Sequence, residues 1–141
     1  SCMSKNPIPQ GKYVPATRHG DLIFTAGMTP RKDGVLQFTG KVKAEEPLES
    51  YKEAVRIAAG NALTAARNTL TDGEKIVRVL SFWVYINAEE GFVSHAKLAD
   101  FGSDYLTEEL GEVGSAARAA IGLGTLPGNA PVEVQLICAA G

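Results

Sequence analysis

The chain has 141 residues, of which 45% are hydrophobic and 21% charged, with a formal net charge of −2. These values fit one globular domain whose core needs neither disulfides nor a metal. The acidic balance argues against a nucleic-acid partner, whose binding draws on clustered Lys and Arg. No apolar run approaches the ~18 residues of a membrane span, and Ser1–Gln10 lacks the basic start and apolar stretch of a signal peptide. The expected location is therefore cytoplasmic.

Residues 1–10 read as an extended N-terminal segment, and 11–141 as a single domain. Met3 reads as a natural start, which makes Ser1-Cys2 an added remnant. The turn-rich Asn6-Pro7-Ile8-Pro9-Gln10-Gly11 leads to a strand at Leu22–Gly27. Asp33-Gly34, within Arg31–Gly34, signals a hairpin whose partner strand is Val35–Phe38.

A helix follows from Pro47, a residue suited to a first helical position. Its buried stripe is Tyr51, Val55, Ala58, Ala62, Ala66 and Leu70, and Asp72-Gly73 ends it. Ile76–Ile86 reads as a long strand. Ile76, Leu80, Phe82, Val84 and Ile86 share one face with Arg78; Val77, Val79, Trp83 and Tyr85 share the other with Ser81. A second helix covers about Phe92–Leu110, and two strands, Ala116–Gly124 and Val132–Ala139, close the chain around a turn-rich 125–131.

The expected order is β-β-α-β-α-β-β, an α+β fold with a mixed sheet of about five strands and two helices on one face. The long strand is apolar on both sides, and a bare sheet of that size is costly in water, so the uncovered face calls for a partner subunit. Cys138 reads as a buried, inert thiol. His19 and His95 are far apart in sequence, lack metal-ligand spacing, and read as structural or solvent-facing.

The C-terminal hairpin carries a resemblance. Ala117-Arg118-Ala119-Ala120-Ile121-Gly122, then Leu126-Pro127, then Pro131-Val132-Glu133-Val134 is similar to the hallmark of the YjgF/Rid (reactive intermediate deaminase) family. Gly11-Lys12-Tyr13-Val14-Pro15 and Asp21–Met28 resemble its N-terminal segments, so the likeness spans Tyr13 to Ala139. It implies a chorismate-mutase-like fold, a homotrimer with ligand clefts between subunits, and hydrolysis of enamines and imines to 2-keto acids and ammonia.

Residue by residue, the resemblance assigns Arg118 and Glu133 as catalytic, with Tyr13, Arg118, Thr25, Ala26 and Ala120 as substrate-binding. Ala26-Gly27-Met28 stands where better-known members have Ser-Gly-Gln. Ala120 replaces a Cys, and no Asn in 101–105 matches a site Asn of the second helix. Ala117 replaces a His found in a less characterised branch that the chain otherwise resembles.

The residues themselves fit that chemistry. Arg118 alternates with the small Ala120 and Gly122, leaving room beside a planar fork that matches a carboxylate. Its other reading is an ion pair with a nearby acid. Glu133 stands in an apolar strand, where burial raises a carboxyl toward useful proton transfer; a structural or solvated role is the alternative. Tyr13 would bound the cleft or serve as an interfacial aromatic.

Imine hydrolysis needs no cofactor and no metal, because the C=N carbon is already electrophilic. The partner expected is a small carboxylate-bearing metabolite. Binding without turnover is the second functional reading; endoribonuclease or translation inhibitor, known for some family members, is a third that the acidic balance disfavours.

Overall fold

The computed structural model describes residues 5–141; Ser1, Cys2 and Met3, read above as remnant and start, lie outside the described residues. The elements run β1 (Ala16–His19), β2 (Leu22–Thr25), β3 (Arg31–Lys32), β4 (Val35–Leu36), α1 (Lys52–Arg67), β5 (Ile76–Asn87), α2 (His95–Leu110), β6 (Ala117–Leu123) and β7 (Val132–Ala140). Five of these strands form one sheet in the order β1-β2-β7-β5-β6. Only β5 and β6 run parallel, which makes the sheet mixed.

The fifth strand is not the expected one. Val35–Phe38 does not join Leu22–Gly27. Asp33 (φ 51) and Gly34 (φ 80) instead close a separate ribbon, pairing Arg31 with Leu36 and Lys32 with Val35. Two left-handed residues in a two-residue loop are what an Asp-Gly hairpin requires. That motif fixes the turn and its immediate flanks, not the sheet to which they belong.

The main sheet takes β1 instead, a strand the sequence reading lacks. Ala16-Thr17-Arg18-His19 has no run of apolar residues because it is an edge strand. Its Arg18 grips Glu74 through two contacts of 2.6 Å, and Thr71 donates to the same carboxylate from backbone and hydroxyl at 2.8 Å. This holds Glu74 well below the ordinary carboxylate range, chiefly through the Arg18 bonds.

The helices follow their periodicity. After Pro47 a 3-10 turn, Leu48–Tyr51, leads into α1. Val55, Ala58, Ala62 and Ala66 are fully buried, whereas Tyr51 and Leu70, at the ends of the expected stripe, are partly buried. Ala54, Ala59, Leu63 and Ala65 are buried too, because α1 meets both the sheet and α2. The small side chains permit that double contact. The helix ends at Arg67, earlier than Asp72-Gly73, in tightened turns from Thr69 to Ala66 and Leu70 to Arg67.

In β5 the predicted faces break. Register shifts between Ile76 and Arg78 and between Val79 and Ser81 insert bulges against β7. A bulge adds one residue and reverses the alternation beyond it. Val79 consequently enters the core at 1% exposure, while Leu80, expected beside Phe82, is 41% exposed. Beyond Ser81 regular alternation resumes, burying Phe82, Val84 and Ile86 under the helices.

Both helices cover one face, over Val132, Val134, Leu136 and Cys138 of β7. Burial pushes the Cys138 thiol up to about 12, so it stays neutral and inert. The opposite face carries Leu22, Phe24, Ile121 and Leu123, each more than a third exposed, with Trp83 and Tyr85 stacked 6.2 Å apart. Among the described residues nothing covers it. No helix there is long and apolar enough to cross a membrane.

Candidate functional site

Arg118 stands on β6, an edge of the sheet, paired in register with the buried Phe82. Its side chain therefore points to the helix-covered face, toward α2. It is not free. Nη1 donates to Asp100 Oδ1 at 2.8 Å and Ser103 Oγ at 2.9 Å, and Nη2 donates to the Ala96 carbonyl at 3.1 Å. The ion pair that the sequence left as the alternative reading is formed. Asp100 itself is 61% exposed, so the pair borders solvent and is weaker than a buried one. Of the five N–H groups of a guanidinium, Nε–H and one on Nη2 remain without a partner among the described residues.

The expected hollow beside Arg118 is present. A shallow groove of about 600 Å³ is lined by Arg118, Ala120 and Gly122 of β6, with Val93, His95 and Ala96 opposite. Ala120, a predicted ligand contact, lies in its floor. His95 does not face solvent alone: its ring edge meets Phe92 at 5.0 Å between centroids, and it lies directly over Gly122. A Cβ at position 122 would stand 2.6 Å from His95 Nε2.

The sequence reading gave His95 a structural or solvent-facing role and assigned none to Asp100 or Ser103. A signal existed. Between parallel neighbours the connecting helix starts at the far end of the first strand, so its first turn overhangs the far end of the second. That places residue 95 over residue 122.

Glu133 lies elsewhere. It pairs in register with Tyr85, on the open face of β7, with β5 between it and Arg118's strand. Within one protomer, Arg118 and Glu133 occupy opposite faces. Glu133 is half-buried against the backbone of Gly27, where a Cβ would come within 2.3 Å of Oε2. It makes no hydrogen bond or ion pair among the described residues. Burial raises its pKa above the ordinary carboxylate value, and it contributes, after burial, to the raised pKa of the Tyr85 phenol. The Tyr85 hydroxyl is spent on Gln135 Oε1 at 2.9 Å.

The N-terminal candidates divide. Tyr13 is 47% exposed and accepts a hydrogen bond from Gln10 N–H at 2.9 Å. With Gly27, Met28 and Thr29 it lines a second cavity of about 620 Å³, roofed by residues from the 5–10 segment. Thr25 is a correction as a substrate contact, because only 3% of it is exposed, on the core side of β2. Its hydroxyl accepts from Leu136 N–H at 3.0 Å and donates to the Ala26 carbonyl at 2.9 Å. That hydroxyl repairs the ladder where β2 stops pairing with β7. Ala26, its neighbour, packs partly buried against the core and anchors to the Pro15 carbonyl through its N–H.

The arrangement thus separates two groups of side chains. Arg118 and His95 lie over an edge strand; Glu133, unpaired among the described residues, lies on the uncovered face.

Comparison with known proteins agrees with the fold. Protein TCP17 of Trypanosoma cruzi is 28% identical over 130 residues, which cover 92% of this chain and 81% of that protein. Atu1372 of Agrobacterium tumefaciens, a solved structure of unknown function, is 30% identical with a TM-score of 0.86, over 98% of this chain and 87% of that one. The YjgF gene product of E. coli shares the fold at a TM-score of 0.68 and 16% identity, over 95% and 92% of the two chains. The sequence pattern of the Endoribonuclease L-PSP family matches residues 3–140. With that pattern running almost end to end through a mixed five-stranded sheet and two helices, this chain belongs to the Endoribonuclease L-PSP (YjgF/Rid) family.

Proposed function

We propose that the chain hydrolyses small imines or enamines to 2-keto acids and ammonia, in clefts that neighbouring protomers of a homotrimer close together. The observation that carries this reading is the Glu133 carboxylate: half-buried, pressed on Gly27, raised by burial and without a partner among the described residues. A carboxyl raised in this way is suited to accept and return a proton. Arg118 supports it, with two N–H groups left for a carboxylate and a groove beside them.

Because these residues lie on opposite faces, a single protomer cannot bring both to one small ligand. The open apolar face and the free edge of β6 are the surfaces by which copies would join. The number three comes from the family resemblance.

In this reading Arg118 holds the ligand's carboxylate. Glu133 of a neighbouring protomer takes a proton from water as the water oxygen bonds to the C=N carbon, and the π pair moves to the protonated nitrogen. Glu133 then gives that proton to the carbinolamine nitrogen. The C–N bond breaks as the hydroxyl oxygen forms C=O and passes its proton to the freed Glu133 carboxylate, and the nitrogen leaves as ammonia.

Ammonia release from freshly generated imino acids tests the proposal. Arg118→Ala and Glu133→Gln should each be inactive. When the two variants are mixed and reassembled in equal amounts, about one quarter of the clefts should draw Arg and Glu from intact donors, in a ring whose sites span subunits. Equal rates in wild type and Arg118→Ala would remove Arg118. Failure of the mixture to regain activity would remove the shared cleft.

Binding of a carboxylate without turnover is favoured by one observation: the Thr25 hydroxyl is committed to the backbone and cannot serve a substrate. Calorimetric binding of keto acids with no ammonia release from any imine would select that reading.

A further inference from the structure

The Arg118 groove holds a polar group that the proposed function leaves unused. His95 is half-buried, and neither ring nitrogen has a hydrogen-bond or ion-pair partner among the described residues. Its position is built: Phe92 supports the ring edge, and Gly122 lets the ring lie on β6. The residue after it, Ala96, gives its carbonyl to Arg118 Nη2 at 3.1 Å, and Arg118 and His95 line one groove beside the first turn of α2. Ala120, between them on the strand, has too little side chain to fill the space.

From this geometry we infer that His95 is a second ligand-contacting group of the groove, bonding to the heteroatom on the carbon next to the ligand's carboxylate. The inference rests on the reading of Arg118 as the carboxylate anchor and adds the residue that reads the neighbouring atom. The groove selects 2-oxo and 2-imino acids over plain carboxylic acids. An imidazole suits either heteroatom, since one ring nitrogen donates and the other accepts in the neutral form. A purely structural His95 would support the fold without discriminating between acids that differ at one atom.

Calorimetric titration of the full chain with 2-oxobutanoate and with butanoate separates these cases. Wild type should bind the keto acid roughly tenfold more tightly, the size of one good hydrogen bond. His95→Phe keeps a ring against Phe92 and Gly122 but has no nitrogen. It should bring the preference down to about one while butanoate binding stays in place. His95→Gln, which can still donate and accept, should keep part of the preference. Arg118→Ala should weaken both acids.

An unchanged preference in His95→Phe, with the Arg118→Ala loss intact, overturns the His95 assignment alone. If wild type shows no preference, that assignment falls as well. If wild type binds neither acid, or Arg118→Ala weakens neither, the anchor reading and the His95 role fall together. Circular dichroism checks each variant's fold; should His95→Phe unfold, the preference in His95→Gln decides, and one equal to that of wild type or absent altogether overturns the assignment.

Discussion

Replacing Gly27 by alanine asks whether the position of the Glu133 carboxylate matters. The added Cβ would stand 2.3 Å from Oε2, 2.8 Å from Cδ and 3.2 Å from Cγ of Glu133. Ordinary contact begins near 3.4 Å, so the carboxylate must withdraw by about 1 Å, since repulsion rises steeply inside contact distance. A misplacement of that size costs about 100-fold in rate when the group acts on a bound substrate.

The fold should tolerate the change. Gly27 is not among the residues with left-handed φ, and the nearest atoms all belong to one flexible side chain. Stability should therefore shift by less than about 1 kcal/mol. The assay is ammonia release from imino acids beside a thermal melt. A variant with wild-type activity would show that Glu133 need not sit where it does. A variant that loses activity only by unfolding would show that Gly27 serves packing.

Three further outcomes are expected. Burial raises the Glu133 pKa, so its charged form opposes folding: the stability tied to this group is full below the unfolded pKa and is lost as pH rises through the folded one. Glu133→Gln should therefore melt higher than wild type at neutral pH, with the gap closing in acid; an equal or lower melting temperature at pH 7 would contradict the burial argument. Glu74 has the opposite sign, because Arg18 depresses its pKa: its stability is present above the unfolded pKa and is lost as pH falls through the folded one. Glu74→Gln should melt lower than wild type at neutral pH and converge with it in acid, and a pH-independent gap would refute this. Gly102→Ala would place a Cβ 2.5 Å from Phe82 Cζ and 3.3 Å from Val55 Cγ1; overpacking there should cost about 1–3 kcal/mol in denaturant unfolding, and a neutral result would mean the Phe82 ring has room to move.

What the sequence made legible was whatever repeats along the chain. The Ala stripe of α1 declared its buried side through three- and four-residue spacing. Strand β7 alternates without interruption, so Glu133 could be assigned to a face opposite Cys138 from position alone. Asp33-Gly34 declared a turn because only a few residues tolerate left-handed φ. The joint motif of Arg118, Leu126-Pro127 and Glu133 carried the family, and with it the fold.

Features that depend on distant partners were not legible. Val79 and Leu80 exchange environments because β5 bulges against β7, and nothing within β5 records that mismatch. Strand β1 stays silent because an edge strand needs hydrogen bonds more than apolar side chains, and its Arg18 is explained only by Glu74. Arg118 looked free because Asp100 and Ser103 sit on a helix whose placement follows from the β5–α2–β6 crossover. The same crossover brings His95 over Gly122. Sequence alone determined which chemical groups this protein owns and which elements carry them, since local spacing encodes both. Tertiary structure decided which groups meet, because strand register and helix placement join residues far apart along the chain, and it set Arg118 and Glu133 on opposite sides of one sheet.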